Sequence, residues 1–464
     1  MKKFYTYILI AVLGLGLSSC EDLLEVDVTG NELTEEDAIQ SKEDVLEILN
    51  SCYDVNANLY NGQIQYCGEL LSDNLSLLNV SGDLGQIYNR NVQIFNGTVG
   101  NIYGEPYITI FRANRIRELL NDFDFSEQER NAIEAELNFL RAISHYEVVK
   151  LWAQPWGYTP NNSHSGVVYK TATDVEVLPR EDVNAVYSQV VEDLQSAINA
   201  NALPQNDPYR ASEYAARAYL AKVRFQQGEY ALALEQADIV INSGRYRLDT
   251  LIDRFQPDTV VVPEIIFKTR SFAPSNDLRS GGFTSNYRSD VPQPPFFRAS
   301  EEFWSEYQSD TLDRRVRQFF EVRDVGTPDE YIAVRKFNKV YFDVPILHLT
   351  DLKLLRAECL TLLGQDLTTA IQDVNDIRER AYGNSNFNLP AGSTSAQVLS
   401  AIRRERRIEM FGEGDRIQQL KRRGAIEGEN IIIRDAVWNC DGMILQFPAT
   451  ERTEEFEINP QGGC

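Results

Sequence analysis

Apolar residues recur at helical spacing through most of this chain. Ser41-Lys42-Glu43-Asp44 reads as a helix start, with Ser41 as N-cap and acids in the first turn, and Val45, Ile48, Leu49 and Cys52 follow on one face. Ser126 and Glu129 form a capping box opening a long helix. Its stripe runs Ile133, Leu137, Leu140, Ile143, Tyr146, Val149, Trp152; Phe139, Ala142 and Val148 widen it, so the helix is expected to be covered on more than one side. Gln154-Pro155-Trp156-Gly157 ends it. Asp182 opens a further helix over 183–200, stopped before Pro204. Residues 54–100 are richer in Asn, Gly and Ser and predict loop, with a short helix over 69–74.

Residues 212–243 read as a helical hairpin. Ala221 and Ala233 flank Gly228-Glu229-Tyr230 at the spacing of a tetratricopeptide unit, where small residues let helices approach and Gly permits the turn. Residues 352–378 repeat the pattern with Ala357, Leu363-Gly364 and Ala370. The fold class that follows is mostly α, an α-α superhelix of tetratricopeptide-like hairpins. Between about 250 and 345 the pattern breaks. Pro257, Pro263, Pro274, Pro292, Pro294 and Pro295 punctuate an irregular, loop-rich lobe. Val260-Val261-Val262 and Ile265-Ile266-Phe267 suggest a few short strands in it.

The first residues set the compartment. Met1-Lys2-Lys3 precedes an apolar run over 5–17, and Leu17-Ser18-Ser19-Cys20 matches a bacterial lipobox. We expect a lipoprotein signal peptide over 1–19, lipidation (palmitate) at Cys20, and an acidic tether over 20–34. No other run reaches the roughly 18 apolar residues of a membrane span. Of the remaining cysteines, Cys359 lies in an apolar helical run and reads as a buried small hydrophobe. Cys440 and Cys464 bracket the C-terminal tail and are able to pair in an oxidising exterior.

Composition narrows the function classes. Among 464 residues, 69 acids face 45 bases, for a net charge of −24. That argues against nucleic acid, which needs clustered Lys and Arg. Only three His occur, no HExxH, GxSxG or P-loop is present, and no CxxC pair suggests a metal. His145, inside the apolar helix, reads as a core residue. Asp122-x-Asp124-x-Ser126 lacks the Gly and the distal Glu of a calcium loop and reads as the approach to a helix. Arg403-Arg404-Glu405-Arg406-Arg407, with Glu409, reads as internal ion pairing or a solvated face. No cofactor or metal is expected from these motifs, while 69 acids leave paired carboxylates of the kind used in glycoside hydrolysis open.

Taken in order, several short motifs resemble the SusD/RagB family of outer-membrane nutrient-binding lipoproteins of Bacteroidetes. They are Cys20-Glu21-Asp22-Leu23-Leu24, Gly68-Glu69-Leu70-Leu71-Ser72-Asp73, Arg112-Ala113-Asn114-Arg115-Ile116 and Glu136-Leu137-Asn138-Phe139-Leu140-Arg141-Ala142. Leu178-Pro179-Arg180, Val186-Tyr187, Asp193-Leu194-Gln195-Ser196-Ala197, Ile402-Arg403-Arg404-Glu405-Arg406-Arg407-Ile408-Glu409 and Asn459-Pro460 complete the series. One departure is Glu413-Gly414-Asp415-Arg416-Ile417, where the family commonly has Glu-Gly-His-Arg-Trp; the position reads as structural. The resemblance implies a single SusD-like domain over 35–464. It also implies a lipid-anchored outer-membrane protein, facing the cell exterior, that passes an oligosaccharide to a SusC-like TonB-dependent transporter for import and is not an enzyme, with no catalytic residue. The RagB branch would take a peptide instead, and a pure helical lid on the transporter is the third possibility.

Sugars stack their CH faces on aromatic rings while Asn, Asp and Arg bond the hydroxyls. Two segments offer that mixture. Residues 81–91 carry Asp83, Gln86, Tyr88, Asn89, Arg90 and Asn91; residues 283–298 carry Asn286, Tyr287, Arg288, Phe296, Phe297 and Arg298. The first lies where the family places ligand loops and takes precedence. Phe296 and Phe297 also suit packing of the lobe, and Trp152, Trp156, Trp304, Tyr307 and Trp438 read as core or interface residues.

Overall fold

The computed structural model describes residues 39–174, 177–250, 252–272 and 279–464. The signal peptide expected over 1–19, the expected lipidation site Cys20 and the tether expected over 20–34 lie outside the described residues. The chain divides into residues 1–46 and residues 47–464. In the first unit Ser41 and Asp44 cap one another: the Asp44 amide donates to Ser41 Oγ at 3.2 Å and the Ser41 amide to Asp44 Oδ2 at 2.8 Å.

In chain order the elements are α1 (Lys42–Leu59), α2 (Gln63–Leu71), β1 (Leu75–Leu77), α3 (Gly82–Tyr88) and α4 (Gly97–Leu119). Next come α5 (Glu127–Trp152), α6 (Val183–Asn199), α7 (Glu213–Gln226) and α8 (Tyr230–Asn242). The lobe holds β2 (Ile265–Thr269), α9 (Gly281–Tyr287), β3 (Phe297–Ala299), α10 (Glu301–Tyr307) and α11 (Arg314–Phe319), then β4 (Phe320–Arg323), β5 (Tyr331–Val334) and β6 (Val344–His348). The chain finishes with α12 (Leu349–Leu362), α13 (Leu367–Tyr382), α14 (Ser395–Glu409), α15 (Arg416–Ile426), β7 (Ile432–Ile433) and β8 (Ala436–Val437).

The helical scaffold follows the apolar pattern closely. Ser126 and Glu129 form the capping box that opens α5, and every residue of its predicted stripe is buried. Helices α4 to α8 pack each on the next, and α8 passes the stack to α12. Leu354, Ala357, Leu360, Ala370, Val374, Ile377, Val398 and Ile402 fill the space between α12, α13 and α14. Gly228 takes φ +76° at the α7–α8 turn, a backbone state that a side chain would strain.

Two expectations fail. Residues 54–100 are mostly helical rather than loop, and the helix expected over 69–74 is instead Gln63–Leu71. The Asn, Gly and Ser residues there supply caps and close contacts. Gly62 sits at φ +118° where a Cβ would lie 2.6 Å from the Phe283 amide nitrogen. Val260-Val261-Val262 is not a strand: Val260 closes a turn, its amide donating to the Pro257 carbonyl at 2.9 Å, and Val261 and Val262 run irregularly up to Pro263. The neighbouring Ile265-Ile266-Phe267 does pair, as β2 against β6.

The lobe is joined to the scaffold by buried ions. Arg315 contacts Asp313 at 2.7 Å, Glu405 at 2.5 Å and Glu409 at 2.9 Å. Arg254 reaches Glu409 at 2.6 Å and Glu413 at 2.7 Å, Arg380 reaches Glu264 at 3.0 Å and Glu409 at 2.9 Å, and Lys336 meets Glu413 at 2.7 Å. The Arg-rich run on α14 is internal ion pairing too, with Arg403 on Glu429 at 2.7 Å, Arg406 on Asp415 at 2.8 Å and Arg407 on Glu306 at 2.7 Å, and the solvated-face alternative is set aside. Burial pushes the Glu409 carboxyl up, but Arg380, Arg315 and Arg254 outweigh it and hold it well below the usual range.

Candidate functional site

The two segments singled out as ligand candidates meet. Strand β1 pairs antiparallel with β3, Leu75 opposite Ala299 and Leu77 opposite Phe297, and the Leu78 amide continues the ladder to the Phe296 carbonyl at 2.9 Å. Residues 78–91 therefore leave the sheet beside residues 291–296. The sheet order β1-β3-β5-β4 adds Tyr331 at the start of β5.

Within the first segment the polar side chains divide between building and display. Asp83 Oδ2 accepts the Thr98 amide at 2.9 Å, seating α3 on the start of α4. Asn96 caps α4 through the Val99 amide and donates to the Asp83 carbonyl and Gln86 Oε1, each at 3.0 Å. Asn89 closes the loop on the Val80 carbonyl at 3.2 Å, and exposed Asn91 accepts from Gln93 at 2.8 Å. Tyr88 is half-buried, with the Arg434 guanidinium 4.0 Å from its ring centroid. Arg90 is buried, held at φ 55°, and bonds the Arg434 carbonyl at 3.3 Å while its Nε and Nη2 have no partner. Burial, reinforced by Arg434, lowers its pKa to about 10.

The second segment needs a correction. Tyr287 is fully buried, with Phe337 at 4.8 Å, Phe297 at 5.0 Å and Phe283 at 6.3 Å, so it offers a ligand no ring face. It is apolar surroundings, not sequence spacing, that decide this. Arg288 is engaged bidentately by Asp290 at 2.9 and 2.8 Å. Phe297 is core, whereas Phe296 stays half-buried beside the first segment. Arg298 lies 4.1 Å from the Tyr331 ring centroid.

Sequence reasoning missed the cavity next door. A 640 Å³ open cavity lies between residues 94–107, 168–170, 177–178 and 448–453, within the range of about 300–1,000 Å³ common to ligand sites. Phe95 fronts it, 83% exposed, and Asn101, Tyr107, Lys170 and Glu451 line it. Burial raises the Glu451 carboxyl, partly offset by Lys170. The clue in the sequence was Phe95 itself, an aromatic between Asn and Gly residues; nothing there announced the return of residues 448–453. That return rests on the Ala449 amide bonding the Ile94 carbonyl at 2.9 Å and on a Cys440–Cys464 disulfide that ties down the tail. Another open cavity, of 350 Å³, carries four cations already paired: Arg210 with Glu136, Lys268 with Asp343, Arg270 with Asp258 and Arg279 with Asp54.

The residues expected to be structural are so. His145 accepts the Lys170 amide at 3.1 Å, sits 2.9 Å from the Arg141 carbonyl and stacks on Tyr169; burial lowers its pKa to about 3. Cys359 is buried, as are Cys52 and Cys67. Gly414 lies so close to α2 that a Cβ on Gly68 would come 2.8 Å from its carbonyl oxygen. Among the described residues no helix is long and apolar enough to cross a membrane, and no group of His, Cys, Asp or Glu has the makings of a metal site.

A family model described as "Starch-binding associating with outer membrane" matches residues 23–225, and a "SusD family" model matches residues 333–442. "SusD-like protein P25" of Formosa agariphila is 25% identical, with 88% of each chain covered. "SusD-like protein P2" of the same organism is 26% identical, with 91% of each covered. Two solved SusD superfamily structures, from Bacteroides vulgatus and Bacteroides thetaiotaomicron, share the fold at TM-score 0.79. They are 20% and 21% identical, and each covers 91% of this chain, with 99% and 100% of those chains matched.

Proposed function

The chain is a SusD/RagB family protein, associated as that family is with the outer membrane, and on this premise we propose that it binds an oligosaccharide at the cell surface and delivers it to a SusC-like TonB-dependent transporter. Lipid at Cys20 anchors it, with the binding face outward. It acts by binding rather than by catalysis. The observation that carries the reading is the 640 Å³ cavity fronted by the exposed Phe95 ring, beside the segment holding Tyr88, Asn89 and Asn91. A largely exposed ring costs apolar contact with water unless something covers it, and a sugar's CH face does so while Asn101 and Glu451 remain for its hydroxyls.

Titration of the purified mature protein with a panel of oligosaccharides and peptides tests the reading. Heat with glycans, lost in Phe95→Ala, supports it. Heat with peptides alone assigns the chain to the RagB-like alternative. Heat with neither leaves the helical lid.

A further inference from the structure

On that glycan-binding reading, three guanidinium groups bear on which sugars the edge prefers. Arg434 donates from Nε to the Ser72 carbonyl at 2.8 Å and from Nη2 to the Leu70 carbonyl at 2.7 Å, with Tyr88 beneath it. Arg298 lies on β3 opposite Ser76, stacked on Tyr331, and its Nε has no acceptor. Both stacks thus flank one short stretch, residues 70–77. Arg90 lies behind the first and bonds the Arg434 carbonyl.

None of the three has a carboxylate within ion-pair distance among the described residues. The nearby acid Asp73 is occupied by Arg416 at 2.7 Å and Arg407 at 3.2 Å. Glu302 is directed toward that same Asp73, and Asp435 is exposed. This is unusual company in a chain where acids outnumber bases 69 to 45. Elsewhere most buried arginines gather two or more acids, and Arg141 is held bidentately by Asp193; Arg406 holds Asp351 at 2.5 Å and Asp415 at 2.8 Å. The backbone is also held in place for the arrangement, since Arg90, Arg434 and Asp435 take φ of 55°, 42° and 66°, a region that side chains disfavour.

An arginine stacked on a tyrosine is fixed in orientation, and its planar fork matches a carboxylate or sulfate bidentately. The net charge of −24 acts at longer range and is screened beyond about 8 Å in physiological salt, so the contact charges decide. We propose that the edge formed by Tyr88–Arg434 and Tyr331–Arg298 selects an acidic oligosaccharide, its carboxylate or sulfate ester meeting the guanidinium while an adjacent sugar face meets the tyrosine.

The full mature chain is titrated with oligogalacturonates and oligomannuronates, with sulfated chondroitin oligosaccharides, and with neutral galacto- and malto-oligosaccharides of equal length. Acidic sugars are expected to bind at least tenfold more tightly than neutral ones, and comparison of the first two groups separates carboxylate from sulfate recognition. Arg434→Gln and Arg298→Gln are each expected to lose tenfold or more toward the acidic ligand, with Arg298→Lys recovering part of it. Arg434 also supports residues 70–72, so Arg298→Gln, with its urea midpoint measured, guards against a folding failure. Neutral sugars binding as tightly as acidic ones, acidic sugars giving no heat, or both Gln variants binding like the parent would overturn the acidic preference and leave the glycan reading standing wherever neutral sugars bind. Peptides binding while no glycan does would remove both.

Discussion

Arginines are used in opposite ways at two places around the lobe. Where α14 meets it, Arg254, Arg315 and Arg380 share Glu409, and each is enclosed with its acids. At the β1–β3 edge, Arg298 and Arg434 lie against tyrosine rings, Arg434 also bonds two carbonyl oxygens, and neither has a carboxylate within ion-pair distance among the described residues. A buried ion is tolerable only when its charge and hydrogen bonds are answered locally. The first group therefore sets how the lobe sits on the scaffold, and a change there is felt as instability. The second has charge left over for something that arrives, and a change there is felt as altered binding.

The difference is sharpest in Glu409→Ala, which leaves three enclosed guanidiniums short of a partner. A loss of about 3–5 kcal/mol is expected in urea unfolding. A loss under about 1 kcal/mol would mean that the hub does not hold the lobe. Tyr287→Ala belongs with it despite lying among the ligand candidates: removal of a buried ring costs about 3–5 kcal/mol, with any loss of binding following the loss of folded protein.

Acid reports on the same hub. Glu409 and Glu413 have carboxyls depressed in the folded state, Glu413 through Lys336, Arg254 and His348 against its burial. Their contribution is present above the ordinary value of 4.5 and is lost as pH falls toward the folded values, so the melting temperature should drop steadily below that point. Glu69 has the opposite sign. Burial raises it to about 7, so its contribution is full below 4.5 and is lost as pH rises through 7. Glu69→Gln, whose single amide oxygen can accept from the Gly414 amide or from Asn74 Nδ2 but not from both, starts less stable and should gain on the parent in melting temperature between pH 5 and pH 8. An unchanged gap would show that Glu69 is not the group titrating.

Legibility in the sequence followed the range of the interaction. The α5 capping box and both hairpins rest on contacts a few residues apart, and they read correctly. The Arg403–Arg407 run could be recognised as ion pairing, yet its partners Glu358, Asp351 and Asp73 lie far away in the chain. Residues 54–100 misread because Asn and Gly there serve caps and close helix contacts such as Asn96 on Val99, which composition alone renders as loop. For the candidate site, the sequence singles out two segments that the fold brings together, but not their exposure. Tyr287 and Phe296 look alike in sequence; only packing makes one core and leaves the other at the edge. The cavity wall from residues 448–453 had no local signal.

The smallest stability effect is expected at Phe95→Ala, within about 0.5 kcal/mol because the ring is exposed. That makes it the most direct probe of the central claim, that the displayed edge and its cavity bind a glycan while the buried ions only frame it. The measurement is glycan titration of the parent and Phe95→Ala with urea midpoints taken in parallel. An affinity loss of tenfold or more at an unchanged midpoint is predicted; equal affinity in the two proteins, or heat from peptides and none from any glycan, would contradict it.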